Sequence, residues 1–342
     1  MARLERTAIV LLVAVFMSAA SAMAAPTTVT KPLRVIQWPV KAKAPVITAV
    51  AVAPGGKLVA AAGDDHVVRL WDTADGRLVS SLKGHRDWVR SLEFSPDGST
   101  LASGGDDRRI LFWDLATSRP LRTLGPHPQA IYKVAFSHDG QFLAAAGFEE
   151  KIRLYDARRG ELLETLDGPC RDLRAVVFSP DGSRIAAGGR NGQVWVWSVP
   201  EGRLKLDLPA DIERIRVLAY SHDGSRLISA GHSGELAIWD VESGKLVQKL
   251  PRRPAKVLSM TFCGSELIAA GGSDNAVRVW HPNEPTEVMQ LVGHTGSVAA
   301  LAYDPATALL VSGSYDTTVR IWKLDQDKQP DETAGRIEDP IR

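Results

Sequence analysis

The chain runs to 342 residues, 44% of them hydrophobic and 24% charged, which is material for a large core and excludes disorder along most of the length. Its 41 Lys and Arg stand against 40 Asp and Glu, so no overall positive charge draws it to nucleic acid or anionic lipid. Nucleic acid is therefore not expected as a partner.

The first residues differ from the rest. Arg3 and Arg6 give a basic start, Thr7 to Ala20 is almost unbroken apolar sequence, and the small residues Ala22, Met23 and Ala24 follow. That is the order of a secretory signal, and the apolar stretch is short for a membrane span. We expect residues 1–24 to be cleaved after Ala24, leaving an exported, periplasmic or extracellular protein with no stable membrane insertion. Two basic residues and one acidic residue go with the signal, so the mature chain is formally neutral. Residues 25–32 read as a linker. Leu33 to Trp38 then forms a short strand with no partner nearby.

From Val46 onward the chain repeats. Aromatic residues close successive apolar runs at Trp71, Trp113, Tyr155, Trp197, Trp239, Trp280 and Trp322, with separations of 42, 42, 42, 42, 41 and 42 residues. A fixed period of this size marks a stacked or radial repeat architecture. Each unit reads as four short strands. In the second, Val89 to Phe94 is followed by the turn Ser95-Pro96-Asp97-Gly98, a strand from Leu101, the turn Gly104-Gly105-Asp106-Asp107, a strand Ile110 to Trp113, and a strand Leu121 to Leu124. One such sheet cannot bury both faces alone, whereas sheets packed radially around an axis can. The last unit stops after its third strand, at Leu324. Residues 325–342 are polar, contain Pro330 and Pro340, and read as a flexible tail.

Gly84-His85, Gly293-His294, the Ser-Pro-Asp-Gly and Ser-His-Asp-Gly turns, and the pairs Trp71-Asp72, Trp113-Asp114 and Trp239-Asp240 carry a resemblance to the WD-repeat β-propellers. It covers about residues 33–324 and implies an all-β fold of seven four-stranded antiparallel blades. It also implies that the N-terminal strand completes the last blade and closes the ring. His85, Ser103, Asp107 and Trp113 recur in register as His294, Ser312, Asp316 and Trp322. A catalytic triad is needed once, so recurrence in two blades argues for structure. The resemblance implies hydrogen-bonded tetrads that tie turns to sheet. Other blades depart from the pattern, with Ala61, Ala145, Ala187 and Ala270 at the serine position and Glu149, Asn191 and Ser233 at that of the acid.

No phosphate loop, zinc motif or nucleophile elbow is present, so no catalytic residues, metal or cofactor are expected. Register places Cys170 and Cys263 at opposite ends of blades two apart, too far to bridge, and both are expected as free thiols. Variation among blades concentrates on one face, the top, which carries the loop before each first strand and the turn before each third. Trp88, Tyr132, Phe148, Arg174, Arg190, Arg214, His232, Lys256 and Tyr315 lie there as candidate partner-binding residues. Arg216, Arg252 and Arg253 add to a basic sector over blades four to six, which would suit an acidic partner. The reading is a monomeric scaffold for a protein partner. The alternative is an enzyme or ligand-binding propeller that uses the central channel through acids or histidines converging at its mouth.

Overall fold

The computed structural model describes residues 28–36, 38, 44–210, 213–265, 267–284 and 286–324. The expected signal, 1–24, and tail, 325–342, lie outside the described residues. Within them the chain forms seven sheets of antiparallel strands in a ring, a seven-bladed propeller. Blades 1 to 7 begin with the strands Ile47–Val52, Val89–Phe94, Ile131–Phe136, Leu173–Phe178, Ile215–Tyr220, Val257–Cys263 and Val298–Asp304. These first strands touch one another in sequence around the axis, and the last touches the first.

Residue size explains how blades pack so closely. The second strand of each blade is buried between its neighbours, and in several blades it is rich in small residues: Ala60, Ala61 and Ala62 in blade 1 are fully buried, as are Ala186 and Ala187 in blade 4. Where that strand ends, a side chain would collide with the backbone entering the same blade. A Cβ at Gly63 would lie 1.8 Å from the Val46 carbonyl oxygen, and one at Gly231 would lie 1.7 Å from that of Arg214. Bulk is supplied by the third strand, where Trp71, Trp113 and Trp322 are buried. The apolar clusters each join two adjacent blades, so the core is a set of seams between sheets, and no blade owns its own core.

The ring closes as expected. Arg34–Ile36 pairs antiparallel with Val319–Lys323, matching Arg34 to Ile321 and Ile36 to Val319, and supplies the outer strand of blade 7. Trp38 clamps this closure. Its indole Nε1 donates to the Thr317 carbonyl at 2.6 Å, its ring meets Trp71 edge-on at 4.8 Å, and Arg69 lies over it at 4.5 Å. The linker expected at 25–32 is corrected in part: Thr28–Thr30 is a strand, paired in parallel with Met289 to Leu291 as a fifth strand on blade 6. Its pairing offers backbone partners to an otherwise open edge, with little side-chain burial.

The strand pairing repeats one irregularity. In every blade the register between first and second strands shifts after the first pair, leaving one extra residue: Thr48, Arg90, Tyr132, Arg174, Arg216, Leu258 and Ala299. Such a bulge turns a side chain out of the regular alternation. Here all of these residues line the same cavity on the axis.

Candidate functional site

The two recurring sets of polar residues are built as tetrads. In blade 2, His85 Nδ1 lies 2.9 Å from Asp107, His85 Nε2 lies 2.7 Å from Ser103 Oγ, and the Trp113 indole donates to Ser103 Oγ at 2.8 Å. Blade 7 repeats this with His294, Asp316, Ser312 and Trp322, each contact 2.8 Å. Burial alone would raise both carboxyls, but hydrogen bonds from the histidine and from backbone N–H groups hold Asp107 and Asp316 below the ordinary range. Their side chains are nearly inaccessible, so the sets bind the top turn to the sheet and present nothing to a substrate.

Two blades solve the same problem differently. Sequence register groups Arg253 with the basic sector of the top face, and the structure corrects this. It occupies the histidine position of blade 6, is buried, donates to both oxygens of Asp274 at 2.9 Å, and lies over Trp280 at 5.5 Å. A guanidinium spans the gap left where serine is replaced by Ala270, whose carbonyl oxygen it reaches at 3.3 Å. Blade 3 keeps His127 without the serine or the aspartate. Its Nδ1 is 3.4 Å from the Tyr155 hydroxyl and its buried Nε2 has no partner. Burial, then the charge of Arg153, pushes its pKa down to about 4.

The top-face candidates divide into a connected cluster and isolated rim residues. Four bulged residues, Arg90, Tyr132, Arg174 and Arg216, meet at the channel mouth. Tyr132 is their centre: the guanidinium carbons of Arg174, Arg216 and Arg90 lie 4.0, 5.6 and 5.9 Å from its ring centroid. Phe148 packs edge-on to Tyr132 at 5.9 Å and takes Arg174 at 4.5 Å, while Trp88 lies under Arg90 at 4.6 Å. These cation–π contacts hold flat guanidinium groups in fixed planes. Asp106 receives Arg90 Nε at 3.0 Å on each oxygen, and Asp172 receives Arg174 Nε. Tyr315 lines the same cavity and is exposed, as is Phe148.

Arg214 reaches the cluster only through Asp172, at 4.0 Å. His232 is half-buried, and its pKa is lowered first by burial and then by Arg216, Lys256 and Arg214 around it. Arg190 and Lys256 stand exposed on the rim. Arg90 was missed among the candidates, although it lies five residues past His85, as Tyr132 lies five past His127.

The cavity at the mouth has a volume of ≈160 Å³. It abuts a wider one, ≈690 Å³, open to the bottom face and ringed by Phe94, Phe136, Phe178, Tyr220, Phe262 and Tyr303. Where the two meet, Lys133 pairs with Glu93 at 3.4 Å, and Glu93 is raised by burial against that attraction. Among the described residues no three His, Cys, Asp or Glu side chains converge as metal ligands would. Both cysteines are unpaired, and burial pushes the Cys263 thiol far up.

Comparison with known proteins agrees with this architecture. The family "WD domain, G-beta repeat" matches residues 31–72, 76–114, 118–156, 160–198 and 285–323, together more than half of the chain. The "Anaphase-promoting complex subunit 4 WD40 domain" matches residues 196–265. A stretch of 77 residues is 42% identical to the ribosome biogenesis protein YTM1 of Eremothecium gossypii, covering 22% of this chain and 17% of that protein. Another of 63 residues is 43% identical to the nuclear distribution protein PAC1 of Tuber melanosporum, covering 18% and 14%. A third, of 72 residues, is 33% identical to the WD repeat-containing protein 26 homolog of Arabidopsis thaliana, covering 21% and 12%. Each match spans less than a fifth of the relative's own length. With seven in-phase blades, their tetrads and these repeat matches together, the chain belongs to the WD-repeat family.

Proposed function

We propose that this protein is a protein-binding platform, that it holds its partner on the top face, and that it works outside the cytoplasm after export. One observation carries the binding role: on a ring whose interior repeats from blade to blade, the top-face positions vary among the blades and gather arginines beside exposed Phe148 and Tyr315. Arginine and aromatic side chains are the types that anchor protein interfaces. Two of the relatives named above are a ribosome biogenesis protein and a nuclear distribution protein, which agrees with a binding role. Export rests on the basic start, apolar stretch and small residues of 1–24.

The test is capture of partners by the mature protein from the exporting cell, followed by charge reversal on either face. Arg190, Arg214 and Lys256 replaced together by Glu should slow association with the captured partner at low salt, because rim charges act mainly on the association rate. Arg174 is left in place because it is packed between two rings. The same reversal at the exposed bottom residues Arg158, Arg159 and Lys245 should leave association unchanged. Equal binding by both variants would rule out the top face.

A further inference from the structure

We propose that the channel mouth is a carboxylate-binding site, and that its occupant is the side chain of a Glu or Asp on an extended segment of the protein partner. This rests on the top-face reading above and assigns the chemistry of its central contact.

The bulges give the argument its geometry. They aim one side chain per blade at the axis, and the resulting ring is divided: blades 2, 4 and 5 contribute Arg90, Arg174 and Arg216, while blades 6 and 7 contribute Leu258 and Ala299. Three guanidinium groups face one cavity with two carboxylates among them. Asp106 occupies Nε and one terminal nitrogen of Arg90, and Asp172 occupies only Nε of Arg174 while also drawing Arg214. Arg216 has no ion pair among the described residues, and its guanidinium is held over the Tyr132 ring. The mouth therefore keeps an uncompensated positive charge with terminal N–H groups unspent, half-buried and oriented by stacking. A planar, oriented fork of this kind matches a carboxylate in a two-point contact, which a lysine would not.

Size and surroundings select the source. A volume of ≈160 Å³ admits one acidic side chain and excludes a folded element. Leu258 and Ala299 opposite the arginines suit its methylene stem, and exposed Tyr315 and Phe148 on the rim offer surface to the flanking chain.

The experiment uses the full mature chain and fluorescent heptapeptide pools with random flanks and a fixed central Glu, Gln or phosphoserine, read by fluorescence polarisation. The Glu pool should bind at least tenfold tighter than the Gln pool. Arg216→Gln should erase that preference, and Arg159→Gln on the bottom face should leave it within twofold. Arg216→Lys, which keeps the charge and the bulk, should recover less than half of the free-energy preference and guards against a folding defect in the first variant. Equal binding of the Glu and Gln pools, undetectable binding included, would overturn the proposal. So would a preference that survives Arg216→Gln, a phosphoserine pool that binds while the Glu pool stays at the Gln level, or displacement by free glutarate as effective as by the peptide pool. The two readings fail separately. Partner capture lost on rim reversal without any Glu preference leaves the platform and removes the carboxylate site. A Glu preference with capture indifferent to rim reversal does the opposite.

Discussion

Asp107 accepts hydrogen bonds from His85 Nδ1 and from the backbone N–H groups of Arg86 and Arg109, at 2.9, 3.0 and 3.2 Å. Removing it strands a buried imidazole, so Asp107→Ala should cost about 1.5–3 kcal/mol, read as a lower urea midpoint, with partner binding intact well below the melting temperature. An unchanged midpoint with lost binding would make the tetrad functional. His127 gives a pH signature instead. Its folded pKa of about 4 lies below the unfolded value near 6.5, so the unfolded chain binds the proton more readily. The stability it supports is fully present above pH ~6.5 and is lost as the pH falls toward 4, about 2 kcal/mol between pH 7 and 5. His127→Phe, which keeps a ring against Tyr155, should remove that slope, and unfolding curves at the two pH values will show whether it does. Residue identity alone concealed Arg253: an arginine at a loop reads as solvated, and only its coincidence with the histidine register marks it as a buried substitute.

Strands and turns were legible because their constraint repeats. A wide aromatic must fill the same seam in every blade, so the period could be read from Trp71 to Trp322, and the turn at Ser95-Pro96-Asp97-Gly98 is fixed by side chains that bond their own backbone, Ser99 N–H donating to Asp97 at 3.0 Å. The bulge could not be read this way. It is a property of how two strands count against each other, and residues as unlike as Thr48, Arg90 and Leu258 occupy it. Arg90 shares the sequence register of Tyr132, so its position was legible, but the convergence of the arginines on the axis emerged only from pairing. The parallel strand Thr28–Thr30 was illegible for a related reason, since its partner lies far along the chain and its own three residues carry no pattern. The two N-terminal strands should differ in weight. Deleting residues 33–38 removes Ile36 and Trp38, uncovers Trp71 and Ile321 and opens the ring, for a loss of about 3 kcal/mol or more and a melting temperature lower by roughly 6 °C or more. Deleting 25–32 should shift the melting temperature by less than half as much, and calorimetry on both truncations compares them directly.

At the scale of the whole molecule, the proposed export makes a prediction of its own: the intact mass of protein recovered from outside the cytoplasm should correspond to a chain beginning at Ala25. Retention of residues 1–24 in a membrane fraction would replace export with anchoring. The ring itself is held by seams between neighbours, so damage at one blade is shared with two. The closure also sets an order of events during synthesis. Arg34–Ile36 is among the first structured segments to leave the ribosome, and its partner Val319–Lys323 is among the last. Until then the nascent chain is an open arc with a ladder edge exposed at each end, and Arg34–Ile36 must wait, unpaired, until blade 7 has been made. Blades 1 to 6 can accumulate vectorially, but the circular seam cannot close before Val319–Lys323 has been made. A ribosome stalled before residue 319 therefore holds an incomplete arc that is open to protease and chaperone at both ends.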